Sequence, residues 1–217
     1  MSKKPKFPSW EGFFGVGRLY LITDRKLVPD IVDAVGKALE GGVRAVQLRE
    51  KDMPVRELLN LARLLRESTK KYAAKLFIND RVDVALACRA DGVHLGGQSM
   101  PPEAVKKISG GENLVIGMSA HSLEQAEAAK RSGADFITFG PVFETPSKKA
   151  YGAPLGLQKL KAAADALDIP VFAIGGIKTG NLKDVLDAGA YGAALISGIL
   201  GADDIKGEAY KFMRAIE

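Results

Sequence analysis

LFINDRVDVALACRADGVHL, residues 76–95, contains a complete strand–helix–strand unit and decides the fold. Its first four residues form a short apolar run typical of a buried strand, and so do its last four, Gly92–Leu95. Between them, VDVALAC has the apolar spacing of a helix. Two strands joined by a helix predict parallel pairing with a right-handed crossover, because parallel strands need a connection of this length.

The same alternation of a short apolar run and a longer amphipathic stretch extends along the chain. Eight such units in a chain of 217 residues predict the α/β class and a single (β/α)8 TIM barrel. The predicted strands are Arg18–Thr23, Ala45–Leu48, Leu76–Asn79, Gly92–Leu95, Leu114–Ser119, Phe136–Gly140, Val171–Gly175 and Ala193–Ser197.

A doubly wound open sheet is the structural alternative. That fold usually carries a GxGxxG turn after its first strand, whereas this chain has TDRKLVP there, at residues 23–29. No linker or low-complexity segment divides the chain. We therefore expect one barrel domain over residues 18–217, preceded by a polar lead-in over residues 1–17.

Composition excludes several classes of protein. Apolar residues make up 47% and charged residues 26%, and no apolar run approaches the roughly 18 residues that cross a bilayer. The net charge of +5 comes from dispersed lysines and arginines, so we expect no nucleic-acid partner and no membrane. The single cysteine, Cys88, is interpreted as a buried thiol and fits a cytoplasmic location. The sequence leaves the oligomeric state open, and a homo-oligomer is compatible with it.

The chemistry of this fold lies where strands end at the carboxyl rim. Gln47, Arg49 and Lys51 follow strand two at alternate positions, so one amide and two cations should point into the barrel mouth. Such a trio suits a polyanion such as a diphosphate. Asn79 and Asp80 end strand three, where the carboxylate could bind a divalent cation. Of the nearby acids, Asp83 is the better candidate for a structural helix cap.

Both histidines fall at the predicted rim. His94 is the second-last residue of strand four, and His121 lies two residues after Ser119, which ends strand five. A lone histidine near a core is more often a structural group than a catalyst, but the position of both at the rim favours function.

Three later loops suggest an anion site. The loop over residues 140–149 carries hydroxyls and lysines and is interpreted as a mobile lid over an anion. Gly175 and Gly176 end strand seven, and Ser197 and Gly198 end strand eight. Loops after these two strands commonly form the phosphate site of this fold, although tight turns with no ligand are the alternative.

Taken in order, these blocks resemble the thiamine-phosphate synthase family from about Leu19 to Ile199. The similarity rests on the QxRxK trio, INDRVD at 78–83, DGVHLG at 91–96, GPVFxTxSK at 140–148, IGGI at 174–177 and the closing SGI at 197–199. The resemblance implies a (β/α)8 transferase of thiamine biosynthesis that joins hydroxymethylpyrimidine diphosphate to thiazole phosphate, releases diphosphate and uses Mg²⁺. Its partners would be these phosphorylated small molecules.

The resemblance also assigns roles. Catalysis would involve Arg49, Lys51, Ser119, His121 and Lys148, and Asp80 would bind the metal. The pyrimidine and its diphosphate would be held by Gln47, Arg49, Lys51, Asn79, His94 and Ser119, and the diphosphate and thiazole side by Thr145, Ser147 and Lys148. The backbones of Gly175, Gly176, Ser197 and Gly198 would hold the thiazole phosphate.

One position departs from the family. Ser99 stands where the family usually has an aspartate as second metal ligand, and a neutral hydroxyl is a poorer ligand for Mg²⁺. Ser99 therefore leaves an alternative open, a thiazole tautomerase in which His121 shuttles a proton to aromatise a thiazole phosphate carboxylate. Asn79, Asp80, Arg49 and Lys51 favour the synthase, because a tautomerase has no diphosphate to hold. A third hypothesis is a sensor that binds the phosphorylated ligand without turnover.

Overall fold

The computed structural model describes residues 18–111, 113–145 and 153–216. Eight parallel strands close into one barrel in chain order, each hydrogen-bonded to the next and β8 to β1. The strands are β1 Leu19–Ile22, β2 Ala45–Leu48, β3 Lys75–Asn79, β4 Gly92–Leu95, β5 Val115–Ala120, β6 Phe136–Phe139, β7 Val171–Ile174 and β8 Gly192–Leu195.

Helices follow the strands and cover the outside of the barrel. Within the described residues they are α1 Ile31–Glu40, α2 Val55–Lys71, α3 Val82–Cys88, α4 Pro102–Ile108, α5 Leu123–Arg131, α6 Gly156–Ala166, α7 Thr179–Asp187, α8 Ser197–Leu200 and α9 Ile205–Ile216. A short 3₁₀ helix, Arg25–Leu27, follows β1. None of the helices in the described ranges has both the length and the apolar character to cross a membrane.

The predicted (β/α)8 barrel and all eight of its strands are confirmed. The observed strand ends differ from the predicted ones by at most two residues. The largest difference lies at the end of β8, where the chain turns directly into a helix. Ser197 was expected to end β8, but the strand stops at Leu195 and Ser197 begins α8. The boundary at residue 18 between a lead-in and the barrel stays a prediction, because residues 1–17 lie outside the described part of the chain.

The barrel interior is filled by aromatic rings. Tyr20 of β1 lies 5.5 Å from Phe136 of β6, measured between ring centroids, although these strands are not neighbours in the sheet. Side chains of non-adjacent strands can meet only inside the barrel. Phe77 and Phe172 complete the group with edge-to-face or tilted contacts. These four rings, the aromatic plug, are fully buried and close the barrel below its mouth.

The strand residues that alternate with the plug face outward. Leu21, Val46, Ile78 and Val93 belong to the large apolar cluster between barrel and helices. Cys88 lies in that cluster, and burial raises the pKa of its thiol, so its interpretation as a buried apolar residue is confirmed. Each strand thus presents one set of residues to the plug and mouth and the other set to the helices.

We expect Phe136→Ala to lower the free energy of unfolding by about 3–5 kcal/mol, because it removes a fully buried ring that contacts three other plug rings. Urea denaturation followed by circular dichroism measures the change. Leu64→Ala, at a side chain 56% exposed on α2, is the control and should change stability by less than about 0.5 kcal/mol. Equal losses in the two variants would show that the plug is not a special source of stability.

Candidate functional site

Polar side chains replace the aromatic rings at the carboxyl ends of the strands. Gln47, His94 and Thr138 are buried polar residues of β2, β4 and β6, and Ser119 of β5 is half-buried. With the hydroxyl of Tyr20 they form a continuous layer on top of the aromatic plug. We call these five residues the polar floor.

Hydrogen bonds connect the polar floor across the barrel. The Gln47 amide Nε2 donates to the Tyr20 hydroxyl at 3.0 Å, and that hydroxyl lies 3.5 Å from Nδ1 of His94. On the other side of the imidazole, Nε2 is 3.0 Å from the Ser119 hydroxyl and 3.2 Å from the Thr138 hydroxyl. The chain of contacts links five strands, so the orientation of each side chain depends on the others.

The polar floor carries no charge at neutral pH. Burial lowers the pKa of His94 to about 3; Asp80 opposes the shift and Arg49 adds to it. Burial also raises the pKa of the Tyr20 hydroxyl, and the Gln47 hydrogen bond opposes this shift without cancelling it. The floor therefore offers neutral donors and acceptors, and the charges of Arg49 and Asp80 lie near enough to the imidazole to affect its pKa.

Tyr20 and Thr138 are floor residues that the sequence analysis missed. Their inward positions follow from strand alternation, but tyrosine and threonine in a β-rich run are ordinary core residues, so nothing in the sequence distinguishes them. Gly117 was missed as well. A Cβ atom there would lie 2.6 Å from Nδ1 of His94 and 2.3 Å from Phe136, so glycine makes room for both rings.

The QxRxK trio divides between the floor and the rim. Gln47 is buried, Arg49 is half-buried and Lys51 is exposed in a turn, because β2 ends at Leu48 and strict alternation ends with it. The backbone N–H of Arg49 donates to the Thr23 hydroxyl at 2.9 Å, which fixes the start of the turn. The structure therefore brings Gln47 and Arg49 to the mouth and leaves Lys51 at its rim.

Glu50 lies between Arg49 and Lys51 in the sequence, but its side chain points away from the barrel mouth. Its buried carboxylate accepts the backbone N–H of Arg25 at 3.0 Å and the Arg25 guanidinium at 3.1 Å. Arg25 also donates to Asp52 at 2.7 Å, and this contact holds the pKa of that carboxyl well below its usual range. The Arg25 contacts tie the loop after β1 to the loop after β2 and so anchor the segment that carries Arg49 and Lys51.

Asp80 and Ser99 lie together, as the proposed metal pair requires. The Ser99 hydroxyl accepts the Gly96 N–H at 2.6 Å and donates to one oxygen of Asp80. The other oxygen accepts the Asn79 amide at 2.8 Å. Asp80 has a positive φ of 60°, and its N–H donates to the His94 carbonyl at 3.0 Å, so the backbone itself turns its side chain toward the rim.

The donor set suits only a weakly held cation. Within the described ranges no group of three or more His, Cys, Asp or Glu side chains could hold a metal ion. One carboxylate and one hydroxyl nevertheless fit Mg²⁺, which commonly takes one or two carboxylates and completes its shell with water and substrate phosphates. The role of Asp80 and Ser99 as ligands stays a prediction.

The structure corrects the expectation for Asp83. The residue that precedes α3 is Arg81, and no side chain caps this helix end. Asp83 lies inside the first turn and pairs with the Arg81 guanidinium, which lowers the pKa of the carboxyl. The Arg81 guanidinium, two residues earlier in the chain, competes for the Asp83 carboxylate, and a sequence pattern does not reveal that competition.

His121 lies at the rim outside the polar floor. Its Nδ1 contacts the Gly140 carbonyl, and its backbone N–H donates to Gln125 at 2.8 Å. A carbonyl only accepts hydrogen bonds, so Nδ1 is the donor in this contact. Among the described residues no hydrogen bond joins this ring to the polar floor.

The proposed lid is only partly described. Thr145 is the last residue before a gap, and Ser147 and Lys148 lie outside the described residues. Before the gap, the loop continues the pairing with β7: Val142 donates to Ile174 at 2.8 Å and Phe143 to Gly175 at 3.1 Å.

Gly175 and Gly176 are required by packing. Both have a positive φ, 98° and 65°, and a Cβ atom would lie 2.6 Å from Pro141 at the first and 2.5 Å from the Glu144 carbonyl at the second. The loops after β7 and β8 also converge, since a Cβ atom at Gly198 would lie 3.3 Å from the Ile177 carbonyl. Their use by a phosphate stays a prediction, as does that of Ser197.

Comparisons with known proteins agree on one family. A family model described as thiamine monophosphate synthase matches residues 19–199. A thiamine-phosphate synthase of Pyrococcus furiosus is 44% identical over 200 residues, 92% of this chain and 95% of the relative. One of Clostridium novyi is 46% identical over 192 residues, 88% and 94% of the two chains. A solved thiamine phosphate pyrophosphorylase from Pyrococcus furiosus has a TM-score of 0.87 and 42% identity, with 94% and 97% covered.

We expect the His94 ring to stay neutral from pH 8 to pH 5, because its pKa is lowered from 6.5 to about 3. The unfolded chain binds a proton in the window between these values, so the free energy of unfolding should fall as pH falls, by up to about 1.4 kcal/mol per unit. NMR titration of the histidine ring protons measures the midpoint, and His121→Gln assigns the two signals. A His94 midpoint above pH 5 contradicts a buried neutral ring.

Proposed function

The chain belongs to the thiamine monophosphate synthase family, and on that premise we propose how its barrel mouth joins hydroxymethylpyrimidine diphosphate to thiazole phosphate. It is an enzyme of the transferase class in thiamine biosynthesis. The observation that carries the proposal is the convergence at one mouth of an uncharged floor, the Arg49 cation and the Asp80–Ser99 pair.

The pyrimidine ring would rest on the polar floor. The reaction leaves a positive charge on the ring's methylene carbon once diphosphate departs, and an imidazolium beneath it would oppose that charge. The lowered pKa of His94 keeps this group neutral, so it would face the ring with no electrostatic penalty while its nitrogens hold Tyr20, Ser119 and Thr138 in place. Gln47 and Ser119, held through Tyr20 and Thr138, would supply further directed contacts.

The diphosphate would lie above the floor between Arg49, Lys51 and Asn79. Diphosphate becomes a good leaving group only when its charge is neutralised, and two cations on one loop suit that task. The exposed position of Lys51 supports a contact with the outer phosphate, and the half-buried Arg49 a contact with the inner one. Lys148 is proposed as a third cation.

Asp80 is proposed as the protein's carboxylate ligand for Mg²⁺, with Ser99 beside it. When bound, this ion would neutralise charge on the departing diphosphate. The two hydrogen bonds that Asp80 receives, from Asn79 and Ser99, leave each carboxylate oxygen with a lone pair for the ion. The single negative charge of the pair favours binding of Mg²⁺ together with diphosphate.

The thiazole phosphate would be held by backbone N–H groups of the loops after β7 and β8, at Gly175, Gly176, Ser197 and Gly198, with Thr145 and Ser147 closing the site. No described residue accepts a hydrogen bond from the N–H groups of Gly176, Ser197 or Gly198. Anchoring the phosphate places the thiazole nitrogen against the pyrimidine carbon, so the attack becomes an intramolecular event within the complex and needs no protein nucleophile.

A cytoplasmic location is proposed with this pathway.

A turnover assay with both substrates and Mg²⁺ tests the proposal, with thiamine phosphate and diphosphate followed by chromatography. Arg49→Ala and Asp80→Ala should each lower kcat/KM by about 10²–10³, because each removes charge stabilisation that matters most in the transition state. Arg63→Ala and Asp187→Ala, at exposed residues on α2 and α7, are matched controls that should retain activity.

Two results would contradict the synthase. Absence of product together with His121-dependent aromatisation of the thiazole carboxylate would assign the chain to the tautomerases, which the comparisons do not support. Binding of both phosphorylated ligands without turnover of either would indicate the sensor.

Ser99→Asp should lower the Mg²⁺ concentration for half-maximal activity by about tenfold, because a second carboxylate beside Asp80 strengthens cation binding. A Mg²⁺ titration at fixed substrate concentrations measures it, with Ser99→Ala as the control that removes the hydroxyl without adding charge. An unchanged half-maximal concentration in Ser99→Asp would mean that residue 99 does not face the ion.

A further inference from the structure

Asn181 holds the loop after β7 in its observed conformation. It is the third residue of α7, and its side-chain oxygen accepts the Lys178 N–H at 2.8 Å. Its side-chain nitrogen donates to the Gly176 carbonyl at 3.1 Å. One amide thus binds both ends of the three-residue turn between Gly176 and Lys178, and the sequence analysis assigned it no role.

The second of these bonds sets the direction of a peptide plane. The bond between Gly176 and Ile177 is trans, since the cis peptide of the described chain lies at Gly140–Pro141. In a trans peptide the C=O and N–H groups point in opposite directions. With the Gly176 carbonyl held toward Asn181, the Ile177 N–H points away from α7, and no described residue accepts a hydrogen bond from it.

The orientation of the Gly176–Ile177 peptide plane depends on the Asn181 side-chain amide, because the groups that pack around this plane do not fix it. Rotation of this plane changes ψ of Gly176 and φ of Ile177, and glycine resists a change in ψ less than other residues do, so the Asn181 hydrogen bond limits tilting on the glycine side. Tilting would turn the Ile177 N–H group away from an anion and bring the carbonyl oxygen, which repels an anion, closer to it. The packing of Gly176 against Phe143 and Glu144 limits displacement of the loop but supplies no hydrogen bond to its carbonyl.

We propose that Asn181 is a positioning residue for the thiazole phosphate: it keeps the Gly176 carbonyl turned away from the anion and the Ile177 N–H available to it. Asn181 acts through the backbone and does not contact the substrate. The proposal rests on the proposed function, because it takes the loop after β7 as the phosphate-binding loop.

The experiment compares Asn181→Ala and Asn181→Asp with the wild-type chain. Both lose the donor to the Gly176 carbonyl, while aspartate keeps the acceptor for the Lys178 N–H and the size of the side chain. Gly180→Asp is the charge control, since its side chain would enter open space one residue away. Asn60→Asp repeats the substitution at an exposed position of α2.

Calorimetry gives the Kd of each substrate, and steady-state kinetics separates the two KM values. We expect Asn181→Ala and Asn181→Asp to raise Kd and KM for thiazole phosphate by about 10- to 100-fold, the effect of losing a hydrogen bond to a charged group. The Kd for pyrimidine diphosphate should stay within about twofold. Both control variants should behave as the wild type. If the melting temperature of Asn181→Ala lies well below that of the wild type, the Kd and KM values of Asn181→Asp decide the outcome.

The inference is overturned if the two substrates weaken equally, if neither weakens, or if Gly180→Asp reproduces the effect of Asn181→Asp while Asn181→Ala has none. The wild-type chain is assayed first. If the wild-type chain forms no thiamine phosphate, the proposed function is overturned. If the wild type turns over normally but the Asn181 variants do not weaken thiazole phosphate selectively, only the role of Asn181 is overturned.

Discussion

The side chain of Tyr20 connects the two halves of the barrel interior. Its ring packs edge-to-face against Phe77 and Phe136 in the aromatic plug, and its hydroxyl meets Gln47 and His94 in the polar floor. The site therefore rests directly on the core, and the positions of its polar groups depend on how the rings beneath them pack. Gly117 shows how tight this dependence is, since any side chain there would meet both Phe136 and His94.

Burial divides the mouth into an uncharged floor and a charged rim. The floor residues lie deep enough that desolvation keeps the imidazole neutral and the phenol protonated. Arg49, Lys51 and Asp80 stand where solvent still reaches them, so they keep their charges at low cost. The proposed reaction, which separates a diphosphate anion from an aromatic cation, would use this division, because the two developing charges favour different surroundings.

The loops that carry the rim are fixed by contacts behind them. Glu50 and Arg25 join the loops after β1 and β2, and Asn181 closes the loop after β7. In each case a side chain that faces away from the mouth determines the direction of backbone or side-chain groups that face into it. Such supporting contacts keep a mouth built from separate loops in a single arrangement.

The sequence by itself determined the eight strands, their parallel order and the side on which Gln47, His94 and Ser119 lie, because strand alternation is a local property that a closed barrel turns into inside and outside. It also brought Asp80 and Ser99 to the same rim through the order of the motifs. Only the tertiary structure decided that Tyr20 and Thr138 belong to the polar floor, that Asp83 pairs with Arg81 instead of capping α3, and that Asn181 holds the loop after β7. Each of these depends on distance and burial between groups whose residue types are ordinary, and three-dimensional packing alone sets those quantities.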